Sequence, residues 1–386
     1  MSLSTVRRMG GASRLLACAL VGCGSCRGEP GTVPAHDPRP MDGEQSDSTA
    51  GQVPRPAGLY TLRYAAPYSA RHPFGRADQQ WIEHVQAASR GRLRIDAYWS
   101  GTLISADHGM LELRHGVADV ASIRPIYERG GAHALRTQTG FYAGAESFAE
   151  QVAVYRCLAR RFFVFRRELS GLTVLAVQGG TLPGIVTRRS PVRNLQDLAG
   201  LRVRAPVELL DVLVRLGADP VNMPMGEVYG ALARGVIDGV VAPLDALGPL
   251  HLGEVAKHYT ALAIARGAYP ARAIRTARLR ELPPELQKLL VESGSAWERG
   301  IAREVATAES RGRRYALNQG MEVHSPPQEL QHALDEAYAV TAQQRARALT
   351  TANTDGEEIL VAAHRWIAQL DTHGSDANTA TLCPID

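Results

Sequence analysis

The sequence predicts an α/β fold of two lobes, on three observations. Short strand patterns alternate with helical ones from Leu59 onward, an eight-residue pattern occurs once in each half of the chain, and a long amphipathic stripe lies beyond both copies. The chain of 386 residues has room for two or three domains with ample core, and 45% hydrophobic against 21% charged residues is an ordinary globular composition.

The first residues read as an address. Arg7, Arg8 and Arg14 precede the apolar run Leu15 to Gly22, a charged region followed by a hydrophobic segment too short to span a bilayer. Leu20-Val21-Gly22-Cys23 resembles the bacterial lipobox, so residues 1–22 are expected to be a lipoprotein signal peptide and Cys23 the lipidated new N-terminus. An ordinary cleaved signal is the alternative, and both readings send the protein out of the cytoplasm to the periplasm or cell envelope. Cys23-Gly24-Ser25-Cys26 is also a C-x-x-C. A redox pair, however, needs a strand before it and a helix after it, and no second pair completes a zinc site. Cys157 and Cys383 cannot be paired from sequence, and no disulfide framework is implied. Residues 23–58 hold six prolines among Gly, Ser and Asp, and they are expected to form a flexible linker between a lipid anchor and the folded body.

The elements of the body follow in order. Leu62 to Ala66 reads as a strand, Trp81, Ile82, Val85 and Ala88 as a helix stopped before Gly91, and Leu93 to Ala97 as a strand of period two. Asp107 to His115 reads as a short helix closed by Gly116, and Val117 to Ile123 as a strand; strands alternating with helices argue for parallel pairing. Leu113-Arg114-His115-Gly116-Val117-Ala118-Asp119-Val120 matches Leu232-Ala233-Arg234-Gly235-Val236-Ile237-Asp238-Gly239 at Leu, Gly, Val and Asp. In each copy Gly supplies a left-handed helix stop and Asp opens an apolar strand. Asp119 and Asp238 are therefore read as structural residues. Leu286, Leu290, Trp297, Ile301, Val305 and Ala308 form the long stripe, with a break possible near Gly294 or Gly300.

Charge and motifs narrow the function. The 43 basic residues exceed the 39 acidic ones by four and are scattered, and only Lys257 and Lys288 are lysines, which argues against a nucleic-acid partner. No H-E-x-x-H, G-x-S-x-G or Walker loop is present, and Gly179 to Gly184 lacks dinucleotide spacing. No catalytic residue, metal ligand or cofactor is assigned. An envelope enzyme with a site assembled from distant residues stays an alternative.

Asn194 to Pro206, reading Asn-Leu-Gln-Asp-Leu-Ala-Gly-Leu-Arg-Val-Arg-Ala-Pro, is similar to a characteristic segment of the DctP-like solute-binding proteins of tripartite ATP-independent periplasmic (TRAP) transporters. Gly217 to Val221 and Met223 to Gly239 continue the match at nearly the family's spacing, and weaker similarity runs from Leu62 to Pro284. The resemblance implies a two-lobed periplasmic-binding-protein-like fold with hinge strands and a long lobe-spanning helix. Lobe 1 would hold residues 59–178 with about 268–307, lobe 2 residues 179–267 with about 308–370, and a disordered tail residues 371–386. It implies no enzyme but a receptor that captures a small organic carboxylate by lobe closure and passes it to a membrane permease.

Arg204 stands where the family's carboxylate-pairing arginine stands, and a planar guanidinium suits two charge-assisted hydrogen bonds. Arg202 would share its face in a regular strand. The resemblance places Met225 against the ligand and Val241 and Ala242 at positions that often carry polar groups. The family's further arginine falls at Gly184, so that charge is missing. These departures disfavour a heavily hydroxylated acid and favour a smaller or more apolar monocarboxylate. Arg124 is a second cation for the site if it turns inward. Asp107 aligns with a ligand-contact loop and equally suits a helix cap, the reading preferred here. Glu227 and Tyr229 are expected to pack or cap. A tethered partner-binding module that kept the fold and lost its ligand remains the other alternative.

Overall fold

The computed structural model describes residues 58–352, 354–373 and 382–383. The signal sequence, Cys23 and all but the last residue of the linker lie outside the described residues.

Eleven strands among the described residues form two sheets. The first contains β1 (Tyr60–Ala65), β2 (Leu93–Tyr98), β3 (Val120–Ser122), β4 (Leu172–Gln178) and β10 (Tyr269–Arg275), in the order β2-β1-β3-β10-β4. The second contains β5 (Gly184–Thr187), β6 (Arg202–Arg204), β7 (Asp219–Val221), β8 (Gly239–Ala242), β9 (His258–Thr260) and β11 (Glu322–His324), in the order β11-β9-β5-β8-β6-β7. The strand patterns fold for the reason they suggest: in β1, Leu62 and Tyr64 are fully buried while Thr61 and Arg63 are exposed. The helix Pro73–Ala88 opens on a proline whose missing N–H needs no partner, and it buries Trp81, Ile82 and Val85 against the first sheet.

The parallel pairing expected of the first strands is found, and it does not extend to every strand. β1 is parallel to β2 and β3, and β6 to β7 and β8, but β10 runs antiparallel to β3 and β4, and β5 antiparallel to β8 and β9. The odd strands are those at the crossings. β4 leaves the first sheet for β5 in the second, and β9 leaves the second for β10 in the first. A chain that enters a lobe from its neighbour arrives in the opposite direction to strands launched from within.

The internal repeat is structural. β2-β1-β3-β10-β4 and β7-β6-β8-β5-β9 have the same sequence of parallel and antiparallel neighbours. In the first lobe Gly116 ends a helix at φ 77° and Asp119 accepts a hydrogen bond from the Arg63 N–H at 2.8 Å. In the second, Gly235 ends one at φ 72° and Asp238 accepts from the Arg202 N–H at 3.1 Å. Each Asp thus ties the start of its strand to the neighbouring one, as a structural residue should.

The long stripe forms two helices, Pro284–Glu292 and Gly294–Asn318, with the break at Ser293. Trp297, Ile301, Val305 and Ala308 are all buried. The second helix lies against both lobes at points without a side chain. A Cβ at Gly294 would stand 1.8 Å from the Leu175 carbonyl oxygen of β4, and one at Gly312 1.9 Å from that of Leu244, just beyond β8.

Beneath this helix a single carboxylate joins four elements. Asp78 Oδ1 accepts from Arg272 Nε and Trp297 Nε1, each at 2.8 Å, and Oδ2 accepts from the Tyr64 hydroxyl at 2.5 Å. Asp78 and Arg272 are 1% and 0% exposed. Trp81 and Trp297 stack beside them with centroids 3.8 Å apart.

Two expectations for the C-terminal part change. The helix Gly356–His373, placed with the second lobe by sequence, packs its Ile359, Ala363, Trp366 and Ile367 into the core of the first lobe with Val154 and Leu158. The tail read as disordered from residue 371 is helical to His373, and beyond it Cys383 is disulfide-bonded to Cys157, with Leu382 and Cys383 both buried. The bond closes a loop of 226 residues, so removing it releases a large conformational freedom in the unfolded chain. Cys383→Ser is expected to cost about 2–5 kcal/mol and to lower the melting temperature by roughly 5–15 °C. Scanning calorimetry of the variant beside oxidised and reduced wild type checks this, and identical curves for all three would contradict it.

Candidate functional site

A cleft opens between the lobes, lined by residues of both and partly open to solvent. Its walls come from loops that follow strands. Tyr68, His72 and Phe74 follow β1, Ile126 and Tyr127 follow β3, Pro206 and Glu208 follow β6, and Pro243 and Asp245 follow β8. These loops leave the carboxyl ends of parallel strands, the usual place for ligand sites in α/β sheets.

Arg204 closes β6 and lies in the cleft wall, 2% exposed. The local sequence delivers it there. Asn194 and Asp197 cap each other's backbone in a reciprocal box, Gly200 turns the chain at φ 69°, and a three-residue strand follows. Arg204 Nε donates to the Met223 carbonyl at 2.9 Å, and Nη2 donates to the Tyr127 hydroxyl of the opposite lobe at 2.7 Å. Two bonds fix the plane of the fork, and Nη1 has no protein partner among the described residues. Arg202 does not join it; its Nε is held at the strand's exposed start by Asp219 at 3.1 Å.

Arg124 is turned inward. It is 2% exposed, lies over the Tyr68 ring at 4.5 Å, and donates through Nη1 to Ser122 Oγ and the Ile123 carbonyl. Its Nε and Nη2 are buried without a hydrogen-bond partner. Arg124 is not itself in the wall; it backs Tyr68 and Phe74, which are, and so places a positive charge one layer behind the cleft.

Met225 and Val241 line the cleft. Ala242 does not. Successive residues of a strand face opposite ways, and while Val241 joins one core of the second lobe, Ala242 is fully buried in the other. Asp107 also lies outside the cleft and caps no helix. It pairs with Arg129 Nε at 2.8 Å, and the helix Gly109–Arg114 behind it has its first N–H groups, Met110 and Leu111, capped instead by Glu128. Glu227 and Tyr229 stay away from the cleft, Tyr229 donating to Glu254 at 3.0 Å.

Sequence reading missed the aromatic wall of Tyr68, Phe74, Tyr127 and Tyr269, the cation Arg266, and the buried acids Glu208 and Asp245. The signal available was position: once β1, β3, β6 and β8 are known, the residues just after them are the candidates. The missing arginine at Gly184 has a steric reason, since a Cβ there would stand 2.3 Å from the Thr260 carbonyl oxygen. Arg266, on the crossing from β9 to β10, supplies a cation to the same cleft.

Burial holds the carboxyls of Glu208 and Asp245 above the ordinary carboxylate range, although Thr181 bonds Asp245 at 2.7 Å and Arg266 acts on both in the opposite sense. Burial and the nearby Arg124, Arg76 and Arg272 push His72 down to about 3, so its ring is neutral at physiological pH. Its Nδ1 accepts from the Phe74 N–H at 3.2 Å, which leaves the ring proton on Nε2. The cleft thus combines a positioned guanidinium and an imidazole donor with apolar ring faces, an arrangement that can hold a small anion with a flat or apolar body.

The sequence profile of the bacterial extracellular solute-binding proteins, family 7 (DctP), matches residues 64–348. The 2,3-diketo-L-gulonate-binding periplasmic protein YiaO of Escherichia coli is 32% identical over 254 residues, 60% of this chain and 71% of that protein. Among solved structures, a TRAP periplasmic solute-binding protein from Bordetella bronchiseptica with bound (R)- and (S)-mandelate superposes with a TM-score of 0.72 at 21% identity, over 81% of this chain and all of that one. A TRAP solute-binding protein from Rhodoferax ferrireducens in complex with copurified benzoate gives 0.73 at 21% identity, over 82% and 99%. Two α/β lobes, paired crossings, a lobe-spanning helix and a profile match across nearly the whole folded body agree: the chain belongs to the family 7 bacterial extracellular solute-binding proteins, the receptors of TRAP transporters.

Proposed function

We propose that this receptor captures a small monocarboxylate with an aromatic or otherwise apolar body, and delivers it to a TRAP-type membrane permease. The observation that carries the reading is Arg204: a buried guanidinium, fixed from both lobes, with one nitrogen left for a ligand and the Tyr127 ring beside it, in a cleft that three further rings line. A carboxylate there gains a charge-assisted bond in a site where an unpaired charge is costly. Arg266 takes the part of the cation missing at Gly184, and Arg124 adds to the positive field. Val241 offers no donor to sugar hydroxyls, whereas the four rings suit a flat apolar body. Mandelate and benzoate in the Bordetella and Rhodoferax proteins fit the same description. Since Arg204 and Tyr127 come from opposite lobes, a ligand bound to both favours the closed form, which is the form a permease would recognise.

A thermal-shift screen of organic acids tests the reading. An aromatic acid at 100 times its dissociation constant adds about 2.7 kcal/mol and raises the melting temperature by several degrees, while glucuronate and C4-dicarboxylates leave it unchanged. A shift from hydroxylated acids alone, or from no acid in a broad panel, would refute it.

The receptor works outside the cytoplasm, tethered through a lipid on Cys23. Cys23→Ser is expected to move it from the membrane fraction to the soluble one; membrane association unchanged by the substitution would rule the lipid anchor out.

A further inference from the structure

On the outer edge of the second sheet, away from the cleft, three side chains converge in a way the receptor role does not use. β11 pairs parallel with β9, setting Glu322 opposite His258 and His324 two residues further on, on the same face as Glu322. His258 Nδ1 and His324 Nε2 are 3.3 Å apart, and Glu322 Oε2 lies 3.5 Å from the first and 3.3 Å from the second. None of the three lines the cleft.

We propose that His258, Glu322 and His324 form a binding site for a divalent transition-metal ion of the zinc class. The triangle has the right size. A tetrahedral ion held at about 2.0–2.1 Å keeps its ligand atoms roughly 3.3–3.4 Å apart, so an ion can be seated with almost no side-chain movement. The donors have the right chemistry, because two imidazole nitrogens and one carboxylate oxygen suit zinc, cobalt, nickel or copper, whereas calcium and magnesium take oxygen ligands. The outer support is present as well. His258 Nε2 lies 2.9 Å from the Arg189 carbonyl, which accepts its proton and leaves the Nδ1 lone pair pointing at the other two ligand atoms. The side chains are 12%, 63% and 21% exposed, so a fourth position faces solvent and takes a water. Seated there, the ion cross-links β9 to β11, the strand that follows the lobe-spanning helix, and stiffens that edge of the second lobe.

The test uses the full chain without a histidine tag, carrying Cys18→Ser, Cys23→Ser and Cys26→Ser so that no leader thiolate binds metal. Equilibrium dialysis against Zn²⁺ is expected to give about one equivalent per chain, and Co²⁺ to give the visible absorption of a tetrahedral site. His324→Ala and Glu322→Ala are each expected to lose that equivalent, while His332→Ala, an exposed histidine elsewhere, keeps it. Circular dichroism confirms folding, and Glu322→Ala, at the most exposed of the three positions, decides the matter if His324→Ala fails to fold. Zinc binding below half an equivalent in the parent chain, or undiminished in folded Glu322→Ala, would overturn the proposal. So would calcium binding as tightly as zinc.

Discussion

Arg204→Ala is expected to abolish detectable binding of an aromatic carboxylate while leaving the fold intact. Removing one partner of a buried, hydrogen-bonded charge pair costs about 2–5 kcal/mol, or roughly 30- to 5,000-fold in affinity. The effect belongs at the upper end. The ligand carboxylate would stay buried without its guanidinium, and the Tyr127 hydroxyl and Met223 carbonyl would both lose the donor that now satisfies them. Arg204→Lys keeps the charge but not the planar fork and should fall between the two, and Tyr127→Phe, which removes one orienting bond, should cost tenfold or less. Titration calorimetry with benzoate or mandelate measures all three. A folded Arg204→Ala that binds within a few-fold of wild type would remove Arg204 from the centre of the site.

Asp78→Ala is expected to give the largest loss of stability of any single substitution outside the cleft, about 3–5 kcal/mol and roughly 6–20 °C in melting temperature. The carboxylate receives hydrogen bonds from Arg272, Trp297 and Tyr64, and its removal leaves a fully buried guanidinium uncompensated together with two orphaned donors. Asp78→Asn retains the shape without the charge and should lose less. Chemical denaturation at neutral pH checks both, and an Asp78→Ala protein within 1 kcal/mol of wild type would show that Arg272 finds another partner.

The fold was largely legible where physics is local. Alternation marks β2 because one of its faces is buried, and the Gly-x-x-Asp repeat marks two lobes because the same backbone needs, a left-handed stop and a strand-opening acceptor, arise twice. Strand direction at the crossings was not legible, since no side-chain pattern distinguishes a strand arriving from the other lobe. The helix Gly356–His373 is amphipathic whichever core receives it, and only tertiary contact assigns it to the first lobe. In the site, Arg204, Met225 and Val241 were readable through a family motif, but Ala242 was lost to a one-residue change of face. The aromatic wall lies in loops, where neither period operates and only position relative to strand ends marks a residue.

The lobe-spanning helix, gripped at Gly294 and Gly312 about 27 Å apart, can also be viewed mechanically. Each grip excludes even a methyl group, so neither end can slide, and any rotation of one lobe on the other must be taken up as curvature of the rod between them. Its compliant point is Gly300, in the span between the grips, where an added Cβ would meet only ordinary contacts, 3.7 Å from Gln80 Oε1 and 3.9 Å from Ala77. Gly300→Ala should therefore strengthen the helix by about 0.5–1 kcal/mol and at the same time make it a stiffer spring. Ligand affinity would then shift through elastic energy alone, in a residue that never meets the ligand.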